Sequence, residues 1–186
     1  MTTTIVPGSL ADVAQNAHLS LSAGFMAAEV IILVDTSGSM MSNDSRGGKS
    51  RYDVAVEELR KIQKSNPGRL AIIAFSDRME FCPAGIPTFF MAETLLDKAL
   101  RFVQPADGTV KFVVISDGLP DHPSECLQIA GTFESEISCV FVGPETDKTG
   151  RRFLDELARA GKGKSVLAAL ASDLAGVITP LLTTGT

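Results

Sequence analysis

Histidine and cysteine are scarce in this chain of 186 residues, which has two of the former, His18 and His122, and three of the latter, Cys82, Cys126 and Cys139. Neither histidine stands in a recognisable relation to a serine nucleophile, which argues against a serine-hydrolase triad. The cysteines are odd in number, far apart and without a CxxC pair, so neither a zinc site nor a disulfide framework is expected. Cys139, inside ISCVFV, reads as a core thiol, and the other two are read likewise. Basic residues are absent before Arg46. Residues 1–33 therefore lack the positive segment that a secretory signal carries ahead of its apolar core. A net charge of -5 argues against the basic face of a general nucleic-acid binder. Residues 19–34 are rather apolar but include Glu29 and several serines, and they are fewer than the ~20 that a membrane-spanning helix needs. The expectation is a cytoplasmic protein with neither nucleic acid nor membrane as partner.

What remains is an ordinary globular composition, 45% hydrophobic and 21% charged, of a length that suits one domain with a sizeable core. Buried strands are expected at 30–34, 70–75, 110–116 and 137–142, with short ones at 79–82 and 165–167. Helices are expected between them: one opened by a Ser50/Asp53 capping box and stopped at Asn66-Pro67-Gly68, then others from about Thr94, at 123–130 and at 151–160. A last helix carries Leu170, Leu174, Val177, Ile178 and Leu181 on one stripe. Strands alternating with helices imply an α/β fold, a Rossmann-like, doubly wound and mostly parallel sheet with helices on both faces. The domain is expected over 28–183, after an extension at 1–27 with a short helix near 10–17 and before a tail at 184–186.

One stretch concentrates the chemistry: EVIILVDTSGSM, from Glu29 to Met40. Its apolar run has no polar alternation, as in a strand buried on both faces, and it ends in Asp35. In open α/β sheets, ligands bind beyond the carboxyl ends of such strands. Ser37 and Ser39 follow at alternate positions, so an extended loop would turn all three oxygens to one side. One carboxylate and two hydroxyls suit a hard cation such as Mg²⁺. The strand KFVVIS also ends in an acid, Asp117-Gly118, which puts a second carboxylate on the same rim if the strands are adjacent. A Gly48-Lys49-Ser50 triplet imitates the end of a phosphate-binding loop, but Asn43 occupies the place of the required first glycine, so nucleotide binding is not expected.

Asp35-Thr36-Ser37-Gly38-Ser39 together with Asp117-Gly118 resembles the metal-ion-dependent adhesion site of von Willebrand factor A domains, and the element order over about 28–182 is similar to that family's. The resemblance implies direct binding of Mg²⁺, or of Mn²⁺ or Ca²⁺, by Ser37 and Ser39, and binding mainly through water by Asp35 and Asp117. Thr94 is implied as the family's later threonine, because Thr94, Leu96, Ala99 and Leu100 match the helix that follows it. The usual pair of glycines is replaced by Met91, Ala92 and Glu93 before Thr94, which leaves Glu93 as a competing oxygen and Thr88 as an alternative threonine. A stiffer turn is expected from that replacement, and the continuous apolar stripe of the final helix adds to the expectation that the helix is held in one position. The resemblance further implies a non-enzymatic module that binds a protein partner through a Glu or Asp completing the metal shell. Intracellular relatives act beside AAA+ ATPases or in stress and conflict systems. The alternatives are a Mg²⁺-dependent hydrolase such as a phosphatase, which would normally have a second acid where Ser37 stands, and a domain whose metal site is degenerate.

Overall fold

The computed structural model describes residues 4–167 together with residues 174 and 178–180. The elements in order are α1 (Leu10–Asn16), α2 (Leu21–Met26), β1 (Val30–Asp35), α3 (Arg51–Ser65), β2 (Leu70–Phe75), β3 (Met79–Phe81), α4 (Leu96–Val103), β4 (Lys111–Ser116), α5 (Pro123–Ala130), β5 (Ile137–Phe141), α6 (Lys148–Ala160) and β6 (Lys162–Leu167). The strands form one sheet in the order β3-β2-β1-β4-β5-β6, parallel except for the antiparallel edge strand β3. Chain order reverses between β1 and β4, so the crevice beyond their carboxyl ends is the topological switch point of the sheet.

β1 shows why the sheet needs cover on both faces. Ile31 and Leu33 pack with α4, α5 and α6 on one side. Val30, Ile32 and Val34 pack on the other against Val54, Ala55, Leu59 and Ile62 of α3, joined by Leu174 and Ile178. All of β1 and β2 is buried, which accounts for their uninterrupted apolar sequence. Leu174 and Ile178 are buried helical residues of the expected final stripe; Leu170, Val177 and Leu181, and with them the expected immobility of that helix, lie outside the described residues.

Several boundaries follow from local hydrogen bonding. Ser50 caps α3, its Oγ accepting from Asp53 N at 3.0 Å and donating to Asp53 Oδ2 at 2.7 Å, while Lys49 pairs with Glu57. The Gly48-Lys49-Ser50 triplet is therefore a helix entry. Helix α6 begins at Lys148 rather than Arg151, because the Asp147 carboxylate caps it from outside by accepting from Thr149 N and Gly150 N. Helix α4 begins at Leu96 rather than Thr94, because the backbone of Thr94 is bonded elsewhere, as described below. β6 runs over Lys162–Leu167, longer than the expected 165–167, as a half-exposed outer strand. Helix α2 has no clear counterpart in the sequence pattern. Val6 N and Ala11 N donate to Ala84 O and Pro83 O, fastening the start of the chain to the loop after β3. All three cysteines are free and buried; burial pushes the Cys126 thiol up to about 12 and the Cys139 thiol higher still.

Candidate metal centre

β1 and β4 are hydrogen-bonded neighbours in parallel register, so Asp35, which ends β1, and Asp117, which follows β4, reach the rim side by side. The loop after β1 is fixed on both flanks. Thr36 donates from both N and Oγ1 to Phe75 O at 2.9 Å, tying the loop to the end of β2, and Met40 is fully buried among the residues on the α3 side of the sheet. Between these anchors Ser37 and Ser39 face the crevice.

Asp35 is completely buried. Its Oδ1 accepts from Ser37 N at 2.8 Å and its Oδ2 from Ser116 Oγ at 2.6 Å. Burial raises its pKa to about 6 against the lowering by Ser116, and the nearby Asp117 charge adds to the rise. Among the described residues this carboxylate has only neutral donors and no bonded cation. Asp117, also buried, differs. Its Oδ1 accepts from Ser39 Oγ at 2.8 Å, and its Oδ2 accepts from the Arg51 guanidinium at 2.6 Å. Arg51 opens α3, is itself buried, and bonds Asp44 through Nε at 2.9 Å and Nη2 at 2.6 Å. A cation at a helix start opposes the helix dipole, and the two carboxylates outweigh that cost. Two glycines leave room for the β4 end: a Cβ on Gly143 would lie 2.6 Å from Asp117 O, and one on Gly150 2.9 Å from Gly118 Cα.

The donor set fits a small hard cation. Ser37 Oγ and Ser39 Oγ are 3.2 Å apart, and Ser39 Oγ and Asp117 Oδ1 2.8 Å; adjacent oxygens of an octahedral shell with metal–oxygen distances of about 2.1 Å lie about 3 Å apart. A buried carboxylate beside them whose ionised form is disfavoured is the electrostatic counterpart of that spacing, since a cation would relieve it.

The structure brings Asp35, Ser37, Ser39 and Asp117 together at the rim. Thr94 lies on the neighbouring loop, half-buried, with its N donating to Asp121 Oδ2 at 2.8 Å and its O accepting from Asp121 N at 3.2 Å. That loop leans on the ends of β1 and β2: Met91 N donates to Thr36 O, Ser76 Oγ to Glu93 O, and Leu95 N to Ser76 O. Glu93 is exposed, and Thr88 Oγ1 donates to Glu80 Oε1 beside β3. Sequence reasoning missed Arg51, Asp44 and Ser116. Ser116 could have been found, since it immediately precedes a strand-end acid. His122 Nδ1 lies 3.3 Å from Asp97 Oδ1, and these two with Glu125 offer ligand atoms within 4.8 Å of one another. Both acids sit in first helical turns, where the dipole favours a negative charge without any ion.

No family model and no curated protein matches the sequence. Solved structures do. An aerotolerance-related membrane protein from Bacteroides fragilis superposes with a TM-score of 0.62 at 17% identity, over 85% of this chain and 100% of that one. Manganese-loaded TRAP protein from Plasmodium vivax gives 0.56 at 14%, over 84% and 74%. The VWA domain of SpRpn10 gives 0.55 at 14%, over 86% and 98%. With a doubly wound sheet switching between β1 and β4 and these structural neighbours, the chain has the von Willebrand factor A fold.

Proposed function

We propose that this chain is a divalent-metal-dependent protein-binding module in which a carboxylate from a partner completes the shell of the ion. The observation that carries the reading is the pair of hydroxyls Ser37 Oγ and Ser39 Oγ at octahedral-edge spacing, with Asp117 Oδ1 hydrogen-bonded beside them and the uncompensated Asp35 behind. Ser37 and Ser39 would hold the ion directly. Asp35 and Asp117 would act mainly through water, in keeping with carboxylate oxygens already engaged by Ser37 N, Ser116, Ser39 and Arg51. Thr94, on the loop above, is the further oxygen. When bound, Mg²⁺ or Mn²⁺ supplies a Lewis acid able to accept an acidic side chain. Asp35 keeps the Ser37 backbone in place, and Arg51 balances the buried charge of Asp117.

Binding rather than hydrolysis is favoured by the residue at the second loop position. A phosphatase of this architecture would need a proton donor near its nucleophile, and Ser37 stands where that acid would be. Titration calorimetry with Mg²⁺ and Mn²⁺, followed by a pull-down in Mg²⁺ and again in EDTA, tests the proposal. Metal binding with EDTA-sensitive capture of one protein is the expected result. Absence of metal binding, or metal-dependent turnover of a phosphate ester, would overturn it.

A further inference from the structure

The large apolar side chains that the described part of the molecule leaves in water are not scattered. Leu19, Leu21, Met26 and Phe102 belong to the N-terminal segments and the end of α4, whereas Met41, Met91 and Leu119 are 41%, 67% and 48% exposed on the three loops that frame the candidate metal centre. Met41 stands two positions after Ser39. Leu119 stands two positions after Asp117. Met91 is tied by its backbone to Thr36, between Asp35 and Ser37. Two of the loops leave the carboxyl ends of β1 and β4, and the third, after β3, returns to the same rim where Met91 N and Leu95 N bond Thr36 O and Ser76 O, so all three apolar groups stand on loops of that rim.

Met91 also holds a backbone conformation that argues for a purpose. Its φ is +58°, in the left-handed region where glycine is at ease and a long side chain is not. The Met91 N–H to Thr36 O bond and the Ser76 bonds to Glu93 O and Leu95 N fix the loop in this shape, and it leaves the thioether in solvent. Strain kept at an exposed position beside a binding site is characteristic of functional surface. Glu93 and Asp121 put exposed acids on the loops of Met91 and Leu119, while Asp44 is paired with Arg51. A partner with several carboxylates would meet like charge there, while one carboxylate aimed at the ion would not.

Building on the metal-dependent reading above, we propose that Met41, Met91 and Leu119 form an apolar collar that selects a protein segment bearing a single Asp or Glu flanked by apolar side chains. The metal takes the carboxylate, and the collar takes its neighbours and shields the coordinate bond from water. Unbranched, polarisable methionine suits such a surface because it adapts to the shape of what covers it.

The test is selection from a random peptide display library on the immobilised full chain in Mn²⁺, with elution by EDTA, for wild type and for a variant carrying Met41→Ser, Met91→Ser and Leu119→Ser. These side chains are exposed, so the variant is expected to fold, and calorimetry should give unchanged Mn²⁺ affinity. Wild type should enrich sequences with one acid and an apolar residue within two positions of it; the variant should still enrich the acid, lose the apolar preference, and bind the wild-type peptides about tenfold more weakly. Acidic peptides without apolar neighbours, or the same preference in the variant, would overturn the collar while leaving the metal reading intact. Intact Mn²⁺ binding with no EDTA-eluted enrichment also counts against the collar. Failure of Mn²⁺ to bind the wild type in calorimetry would instead remove the reading on which it rests.

Discussion

The two halves of the crevice solve the same problem in opposite ways. Each presents a buried carboxylate at the end of a central strand, but Asp117 has a guanidinium at 2.6 Å, whereas Asp35 has only neutral donors among the described residues. Burying a charge is expensive unless it is paired. The Asp117 half meets that cost internally through Arg51, and the Asp35 half leaves it standing. A site with both acids paired would have little use for an ion; one with neither paired would be hard to fold without it. The asymmetry lets the metal-free chain fold and still want a cation.

The comparison breaks most completely if the unpaired half is neutralised. Asp35→Asn keeps an acceptor for Ser37 N, and it should lower Mn²⁺ affinity about 100-fold while leaving the metal-free melting temperature equal or higher, because a disfavoured charge is gone. Calorimetry and thermal denaturation check both, and a variant that binds Mn²⁺ like wild type would remove Asp35 from the site. The paired half should respond with the opposite sign. Arg51→Met strands Asp117 without its partner, which should cost about 3 kcal/mol of stability in denaturant unfolding and raise Mn²⁺ affinity about tenfold, since a fixed positive charge has left the neighbourhood of the ion. Weaker metal binding together with lost stability would mean that Arg51 is needed to shape the site rather than to balance its charge.

A third measurement sharpens the contrast through pH. An acid whose folded pKa is raised binds more protons folded than unfolded, so its contribution to stability is greatest below about pH 4 and is lost as the pH rises towards 6. For Asp35, with a pKa of about 6, metal-free stability should fall across that window relative to Asp35→Asn. The stabilisation given by Mn²⁺ should grow across the same window as the competing proton leaves. Melting curves of both proteins with and without Mn²⁺ check this, and a metal increment independent of pH would contradict it. The smallest effect is reserved for the outer loop. Thr94→Ala should weaken Mn²⁺ about threefold, a fraction of a single hydrogen bond's full range, whereas Thr88→Ala, engaged with Glu80, should change nothing. The reverse order would reassign the threonine.

The sequence carried the Asp35 half more openly than the Asp117 half, for a physical reason. Asp35, Ser37 and Ser39 are neighbours along one extended loop, so alternation alone orients them. Arg51 reaches Asp117 across 66 positions of chain from the first turn of α3, where a lone arginine after a serine cap looks like any solvated helix start. Strand positions were legible because β1, β2, β4 and β5 are buried along almost their whole length and must be apolar. The helix starts at Leu96 and Lys148 were displaced from expectation by side-chain and backbone bonds to Asp121, Ser76 and Asp147, which no periodicity encodes. Helix α2 is six residues of Leu, Ser, Ala, Gly, Phe and Met with one buried position, too short to repeat any pattern.

The short hydroxyl pair between the two halves fixes the direction of a row of protons. Ser39 Oγ has one hydrogen, and it is given to Asp117 Oδ1. The 3.2 Å contact between Ser37 and Ser39 can then be a hydrogen bond only if Ser37 donates. The Ser39 O–H thus points towards Asp117, and with Ser37 donating to it Ser39 retains one lone pair. Polarity is therefore written into the loop before any ion arrives: with its hydrogen already given to Asp117, Ser39 has an electron pair rather than a hydrogen to offer a cation.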